Sequence, residues 1–316
     1  MWRTRGCLLQ SSTLFRQSLR VLSSNSTSAV GVSNINQVVS DGTPSFTANE
    51  SPTSAEEPSQ SRFQKPKEKY KGSIDNAETA KFAAIAETWW DHYGPYKPLH
   101  AMNPVRLSFI RSALCHHFRK DGDTAKPLDG LKVVDVGCGG GLVCEPLARM
   151  GAQVLGVDAV EKNIKVASAH AIQDPSTSSI QYRCTTAEQL VLEKQEFDAV
   201  LALEVIEHVA DPMEFCKSLA ALAKKDGMVI ISTLNRSISS YGLAIVGAEY
   251  ILGWLPKGTH DWSKFMTPEE LALLMNRASL SMEEMAGIVF SPLTQRWSLS
   301  DDTSVDYIAS SVKKQK

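Results

Sequence analysis

The chain has few cysteines, and none of them belongs to a Cys-x-x-Cys pair. The six are Cys7, Cys115, Cys138, Cys144, Cys184 and Cys216. Their spacing matches neither a zinc site nor the disulfide framework of a small secreted domain. We therefore interpret them as free thiols of a protein that works in a reducing compartment.

Long apolar runs and an excess of positive charge are also missing. No stretch approaches the roughly 20 apolar residues that a membrane-spanning helix needs. Lys and Arg number 33 against 35 Asp and Glu, so the formal net charge is −2 and nucleic acid is not expected as a partner. The 316 residues are 43% hydrophobic, which is enough for a sizeable core. A protein that is soluble, or peripheral to a membrane, is predicted.

Acidic residues are absent before Asp41. The same segment is rich in serine, and its arginines alternate with leucine and phenylalanine, as in the stretch from Leu14 to Leu22. This composition is typical of an organelle transit peptide, which we predict over residues 1–40; a disordered tail with accidental charge is the alternative. Residues 41–74 are poor in apolar side chains and are predicted to be a disordered linker. The folded domain is predicted to span residues 75–316.

The folded part is predicted to be an α/β domain. Two helices come first, at Glu78–Asp91 and at about Asn103–Phe118. Five strands then alternate with helices; the strands are Lys132–Val136, Val154–Val157, Ile180–Arg183, Phe197–Leu203 and Met228–Thr233, and the helices are Leu142–Met150, Glu161–Gln173 and Pro212–Leu222. A hairpin of Met282–Val289 and Arg296–Leu299 is expected at one sheet edge. The alternation predicts a doubly wound, mostly parallel sheet with helices on both faces.

A glycine-rich loop follows the first strand, with the sequence Asp135-Val136-Gly137-Cys138-Gly139-Gly140-Gly141. Glycines in a strand–loop–helix unit let backbone N–H groups approach a ligand closely. A dinucleotide fingerprint needs a third glycine, and Leu142 stands in its place. What remains resembles the cofactor loop of S-adenosylmethionine-dependent methyltransferases.

Asp158 ends the second strand, about 20 residues after Gly137, where a ribose-binding carboxylate is expected. Two carboxylate oxygens suit the two hydroxyls of a ribose. The alternative is that Asp158 only caps the helix that follows. Asp135 is expected to support the loop or to reach the cofactor through water.

Glu204, Glu207 and His208 form a second polar group directly after the fourth strand. At spacings of three and four residues, they would share one side of a helical turn. Two carboxylates and an imidazole suit a divalent ion such as Mg²⁺ or Zn²⁺, which would stabilise a phenolate oxygen. The alternatives are that His208 and Glu207 hydrogen-bond the loop, or that one of them acts as a general base without metal.

Residues Tyr241 to Leu255 form an apolar segment that only Glu249 interrupts. It is too short to cross a bilayer, so it would lie in the membrane interface and guide a lipophilic substrate, or pack as a helix that roofs the active site. His260, which follows, is a candidate polar group of the site.

Several segments together resemble the ubiquinone-biosynthesis O-methyltransferase family in its mitochondrial form, and the likeness extends from about Ala77 to the C-terminus. The segments that carry it are Trp89-Trp90-Asp91, Lys97-Pro98-Leu99-His100, Asn103-Pro104-Val105-Arg106, the glycine loop, Leu203 to Val209, Ser232 to Arg236, Val246 to Tyr250, and Pro256-Lys257-Gly258-Thr259-His260. The glycine loop marks only the methyltransferase superfamily, whereas the Trp-Trp-Asp and Lys-Gly-Thr-His segments are far more specific.

The resemblance implies a class I methyltransferase with a seven-stranded, Rossmann-like sheet and an apolar insertion after the fifth strand. It also implies methylation of polyprenyl-dihydroxybenzoate and of demethylubiquinol, on the matrix side of the mitochondrial inner membrane, in a complex with other ubiquinone-biosynthesis proteins. Cofactor contacts fall on Arg106, Gly137, Asp158 and Leu203. Ligands of a divalent metal, Mg²⁺ in our interpretation, fall on Glu204, Glu207 and His208. Glu207 and His208 are also the candidate catalytic residues.

Two other functions fit parts of the sequence. A nicotinamide-dependent oxidoreductase would use the same fold, but Leu142 argues against it. A non-catalytic methyltransferase-like scaffold of a lipid-quinone synthesis complex is the second alternative; the intact Gly137, Asp158 and Glu/His group argue against lost catalysis.

Overall fold

The computed structural model describes residues 73–242 and 261–314, and an eight-stranded sheet organises them. The strands are β1 (Lys132–Val136), β2 (Gln153–Asp158), β3 (Gln181–Cys184), β4 (Phe197–Leu203), β5 (Ala223–Leu234), β6 (Leu280–Ser291), β7 (Arg296–Ser300) and β8 (Asp306–Lys313). Their order across the sheet is β3-β2-β1-β4-β5-β8-β6-β7. The first five are parallel, and β8, β6 and β7 add antiparallel pairs. The prediction of a mostly parallel, doubly wound α/β sheet is confirmed.

Helices cover both faces of the sheet. They are α1 (Asn76–Ala84), α2 (Lys97–His117), α3 (Cys144–Arg149), α4 (Glu161–Ala171), α5 (Ala187–Leu192), α6 (Pro212–Leu222), the single turn α7 (Ile238–Ser240) and α8 (Pro268–Arg277). Helix α6 has the predicted bounds: the Asp211 carboxylate accepts from the N–H groups of Met213 and Glu214, and Pro212 fits the first turn, where no hydrogen bond is lost.

Alternate residues of the parallel strands enter two separate apolar layers. In β1, Val133 packs with α2 and α3, through Leu114 and Leu147, while Val134 packs on the opposite face with Leu219 of α6. Both valines are fully buried. Because both faces are covered, the strands are near-continuous apolar runs without polar alternation.

The sheet has one strand more than the seven that the resemblance implied. Strand β8 was not predicted, and it lies between β5 and the hairpin of β6 and β7. Its sequence includes Ser310 and Ser311, which are buried by pairing with Ile230 and Val229 of β5. A search for apolar runs does not detect a strand that contains serines. Their burial becomes favourable only through pairing with neighbouring strands, which the local sequence does not show.

The bounds of α1 and α2 were predicted wrongly, and α5 and α8 were not predicted; α1 ends at Ala84, ahead of the predicted Asp91. Helix α2 begins at Lys97, ahead of the predicted Asn103, since Pro98 lies in its first turn and does not interrupt it. Helix α8 was missed although its start carries a capping box, in which Thr267 and Glu270 each accept a backbone N–H of the other.

Some predictions fall outside the described ranges. The transit peptide over residues 1–40, nearly all of the linker over residues 41–74, most of the apolar segment from Tyr241, and His260 are among them. Within residues 73–242 and 261–314, no helix is long and apolar enough to cross a membrane.

Candidate active site at the carboxyl edge of the sheet

The glycine loop leaves β1 in a shape that side chains would block. Gly137 and Gly139 have positive φ angles of 77° and 53°. A Cβ on Gly137 would lie 2.5 Å from Val205 Cγ2, and one on Gly139 would lie 2.3 Å from the ring of Trp89. The N–H groups of Gly137 and Cys138 both donate to the carbonyl of Val157, at 2.8 and 3.0 Å. The loop is thus tied to the neighbouring strand β2.

Asp158 lies at the end of β2, against this loop. One carboxylate oxygen accepts the N–H of Gly139 at 3.0 Å. The other accepts the N–H of Val160 at 2.8 Å and the Nδ2 of Asn163 at 3.3 Å. Burial raises the pKa of Asp158, and these hydrogen bonds oppose the rise. Asp158 therefore supports the β2–α4 turn and lies at the glycine loop, but it does not cap α4, whose N-cap is Val160 without a side-chain cap.

Two tryptophans cover the glycine loop. Trp89 lies over Gly139 and Gly140 and donates its Nε1 hydrogen to Asn163 Oδ1 at 2.9 Å. Trp90 donates to the carbonyl of Gly140 at 2.9 Å and stacks on His170 with 3.4 Å between ring centroids. Sequence reasoning used these tryptophans only as marks of the family. Their position shows that they hold the loop from above.

Arg106 of α2 lies within the influence of Asp135 of β1 and of Glu204, which follows β4. The side chain is only 3% exposed, and its Nη2 donates to Asn103 Oδ1 at 3.1 Å. Burial lowers the pKa of Arg106, while the nearby charges of Glu204, Asp306 and Asp135 raise it. Arg106 Nε has no hydrogen-bond partner in the structure. A buried N–H of this kind suits an anionic group of a ligand.

The end of β4 carries Leu203 and then two carboxylates. Leu203 is buried in the apolar layer of α2. The backbone turns sharply at Glu204, where φ is 55°, and Glu204 accepts the hydroxyl of Ser232. Glu207 is buried and accepts the hydroxyl of Thr233 at 2.8 Å. Burial, and then the charge of Glu204, raise the pKa of Glu207 to about 8.

Asp306 joins these carboxylates, and sequence reasoning missed it. It opens β8 opposite Leu234, is 3% exposed, and its Oδ1 has no hydrogen-bond partner. Burial and the charges of Glu204 and Glu207 raise the pKa of Asp306 well above its ordinary range, and Arg106 opposes them. No local signal could have found this residue, since β8 itself was not predicted.

His208 contacts a carboxylate of α1, Glu78, that was not part of the predicted group. Glu207 and His208 lie in a short 3₁₀ turn, Ile206–His208, and the left-handed backbone at Glu204 precedes it. The expected α-helical face therefore does not form. His208 Nδ1 lies 3.0 Å from Glu78 Oε2, and its ring contacts Phe82 edge-on.

The metal prediction gains no support from this arrangement. Over residues 73–242 and 261–314, no group of three His, Cys, Asp or Glu side chains is disposed to hold a metal ion. Glu204 and Glu207 have suitable chemistry, but they accept the hydroxyls of Ser232 and Thr233, and His208 is engaged with Glu78. The three residues as arranged do not fit a three-ligand site.

Comparison with known proteins places this site in a family. Residues 134–231 match the family described as "Methyltransferase domain". The chain is 62% identical over 242 residues to the mitochondrial ubiquinone biosynthesis O-methyltransferase of Arabidopsis thaliana, which covers 77% of this chain and 75% of that protein. It belongs to the ubiquinone biosynthesis O-methyltransferase family. A bacterial member from Dinoroseobacter shibae is 50% identical, across 76% of this chain and 97% of its own.

Membership of this family decides against the nicotinamide-dependent oxidoreductase. The fold agrees: the magnesium protoporphyrin IX methyltransferase of Synechocystis superposes with a TM-score of 0.52 at 20% identity. That comparison covers 75% of this chain and 99% of the other. This chain therefore has the class I methyltransferase fold that its sequence predicted.

Proposed function

We propose that this protein transfers methyl groups from S-adenosylmethionine to phenolic hydroxyls of polyprenyl-dihydroxybenzoate and demethylubiquinol in ubiquinone biosynthesis. Family membership supports the reaction class. The observation that carries the proposal is the meeting of two features at one sheet edge. A glycine loop with Asp158 lies beside β4, which is followed by the half-buried Glu204 and the buried Glu207.

The cofactor is proposed to bind across the ends of β1, β2 and β4. Asp158 accepts ribose hydroxyls, and Gly137 gives the loop the close approach that the cofactor needs. Arg106 binds the carboxylate of the methionine moiety through its guanidinium, whose Nε has no other partner. Leu203 supplies an apolar wall. These four residues are the cofactor contacts that the resemblance implied.

Methyl transfer needs a phenolate, because a neutral phenol is a weak nucleophile. In the proposed step the phenolic oxygen forms a bond to the methyl carbon while the carbon–sulfur bond breaks. The sulfonium becomes the neutral thioether of S-adenosylhomocysteine, and the phenolic proton passes to Glu207. A carboxylate buried beside Glu204 is more basic than an exposed one and so suits this role. His208 is proposed to assist, since it follows Glu207 directly.

A divalent cation at Glu204, Glu207 and His208 is a separate proposal that the resemblance supplies. When bound, it would stabilise the phenolate as a Lewis acid. His208 would have to leave Glu78 to join it. Calorimetric titration with MgCl₂ alone, on the wild type and on Glu78→Gln, tests this step. Tighter Mg²⁺ binding by the variant would support a site that includes His208, and no binding by either protein would exclude one.

A methyl-transfer assay tests the function as a whole. The full chain is incubated with methyl-labelled S-adenosylmethionine and a short-tailed prenyl-dihydroxybenzoate, with chelator or with added Mg²⁺. We expect a labelled methyl ether of the substrate. Activity that persists in chelator supports proton transfer to Glu207 without metal, and activity that returns only with Mg²⁺ contradicts it. Binding of S-adenosylhomocysteine without turnover on any catechol would favour the non-catalytic scaffold.

The location is proposed to be the matrix side of the mitochondrial inner membrane. The name of the Arabidopsis relative includes "mitochondrial", and residues 1–40 combine arginine and serine without acid. Residues 41–74 would then serve as a linker to the catalytic domain of residues 75–316, which joins other ubiquinone-biosynthesis proteins. Fusion of residues 1–40 to a fluorescent protein should give mitochondrial import, and the same fusion with its four arginines changed to glutamate should not.

A further inference from the structure

Tyr96 combines burial with an unused hydroxyl. It immediately precedes α2, is 5% exposed, and its hydroxyl has no hydrogen-bond partner in the structure. Its ring stacks on Trp89 with 3.7 Å between centroids and 7° between planes. Trp89 in turn lies over Gly139 and Gly140. Tyr96 therefore belongs to the aromatic cover of the cofactor loop.

The charge of Asp158 acts on the same hydroxyl. Burial raises the pKa of Tyr96, and the negative charge of Asp158 raises it further. Trp89 and Asp158 also share one partner, because Asn163 accepts from the indole through Oδ1 and donates to Asp158 through Nδ2. The stack on Trp89, the shared partner Asn163 and the charge of Asp158 connect Tyr96 with Asp158 beside the glycine loop.

The hydrogen-bonding capacity of Asp158 is nearly used. An ionised carboxylate has about four acceptor positions. Three are taken by the N–H groups of Gly139 and Val160 and by the amide of Asn163. One acceptor position therefore remains for a ribose that presents two hydroxyls. A second partner is required for the other hydroxyl if both are to be bound once water has left.

We propose that the Tyr96 hydroxyl is this second partner and binds a ribose hydroxyl of S-adenosylmethionine. The inference rests on the proposed cofactor site and adds a contact to Arg106, Gly137, Asp158 and Leu203. It assigns Tyr96 the role of a specificity residue for the ribose. A phenolic hydroxyl both donates and accepts, so it satisfies a sugar hydroxyl in either sense. The Trp89 stack fixes the ring, which limits the hydroxyl to one position.

Removal of the Tyr96 hydroxyl should affect stability differently in the free and in the ligand-bound protein. Without ligand, the hydroxyl of Tyr96 is buried and unpaired, so its removal does not lower stability. With ligand, its removal leaves a ribose hydroxyl without a partner. Tyr96→Phe should therefore unfold at the same or a higher temperature than the wild type, yet gain less stability from S-adenosylhomocysteine.

The deciding experiment compares S-adenosylhomocysteine with its 2′-deoxy and 3′-deoxy analogues by calorimetry. Tyr96→Phe should weaken S-adenosylhomocysteine about tenfold, as expected for loss of one hydrogen bond in a closed site. For the analogue that lacks the hydroxyl bound by Tyr96, wild type and variant should bind equally. Equal weakening of all three ligands would overturn the ribose assignment, and so would no weakening.

Tyr307→Phe is the matched control. Tyr307 is also buried, but its hydroxyl donates to the carbonyl of Met266 at 2.9 Å. Its loss should lower the unfolding temperature and leave the ratio of affinities for the three ligands unchanged. If the wild type bound none of the three ligands, the proposed cofactor site itself would be wrong. If the wild type bound them and Tyr96→Phe bound them equally well, only the role of Tyr96 would be wrong.

Discussion

The two halves of the site treat buried carboxylates in opposite ways. Beside the glycine loop, Asp158 receives three N–H donors. At the end of β4 and the start of β8, the buried Glu207 accepts the Thr233 hydroxyl and a backbone N–H, and the buried Asp306 accepts one backbone N–H while its Oδ1 has no donor. Asp158 is thus held by three donors before a ligand arrives. In the other half, Glu204 and Glu207 raise the pKa of Asp306, and the charge of Arg106 opposes this rise.

We infer from this difference which carboxylates position the cofactor and which take part in the reaction. A carboxylate with three donors stays fixed, and in the proposed function its remaining acceptor position binds a sugar hydroxyl. A carboxylate pressed against others of like charge has a raised pKa and takes up a proton readily. In the proposed function, carboxylates at one sheet edge thus have two roles, and we infer that the number of donors and the charges around each carboxylate set its role.

The largest effect is expected at Glu207. Glu207→Gln keeps the volume and an acceptor for Thr233 but removes the base, so kcat should fall by roughly 10²–10⁴. Affinity for S-adenosylhomocysteine should change little, because Glu207 belongs to the reacting half. Glu214→Gln on the partly exposed start of α6 is the control. A kcat within threefold of wild type would remove Glu207 from the mechanism.

Gly139→Ala is expected to disrupt the cofactor half. The new Cβ would meet the Trp89 ring at 2.3 Å in a left-handed backbone conformation. Moving the ring would open the cover over the loop, so affinity for S-adenosylhomocysteine should fall by about 10- to 100-fold. Gly122→Ala has no such clash, since the nearest atom lies 3.9 Å away. Similar affinities in calorimetry would show that the tight loop is dispensable.

Asp306→Asn is expected to change stability with pH. The folded pKa of Asp306 is raised, so the folded state binds a proton that the unfolded state releases, and stability falls as pH rises above the ordinary pKa of 3.8. The variant cannot lose that proton. It should gain about 1–2 kcal/mol over the wild type at pH 8 and nothing near pH 4, by urea unfolding at each pH. A constant difference across pH would contradict the raised pKa of Asp306.

Trp90→Phe should give the smallest effect. The ring can still stack on His170, but the hydrogen bond to the carbonyl of Gly140 is lost. The free energy of unfolding should fall by about 1 kcal/mol, and cofactor affinity should fall two- to threefold. A loss as large as that of Gly139→Ala would mean that Trp90 contacts the ligand directly.

Sequence predicted the cofactor half better than the reacting half for a physical reason. The glycine loop and Asp158 are set by neighbours in the chain: an apolar strand, a turn that demands glycine, and a second strand. The bounds of β1, β4 and α6 were correct because apolar pattern and capping residues agree there. Such local agreement needs no knowledge of distant contacts.

The reacting half depends on distant contacts. Asp306 comes under the charge of Glu204 because β8 pairs between β5 and β6. His208 contacts Glu78 of α1, which is far away in sequence. The spacing of Glu204, Glu207 and His208 predicted a shared helical face, but a left-handed residue changed the direction of the chain. Neither the pairing nor the turn leaves a signal in residue spacing.

The position of β8 has a consequence for the order of folding. As the chain emerges from the ribosome, β5 is complete long before β8, because α7, α8, β6 and β7 lie between them. Until β8 arrives, one edge of β5 is open to pairing with other chains. Contacts between such distant segments form slowly. This edge is therefore where a nascent chain would most need a chaperone.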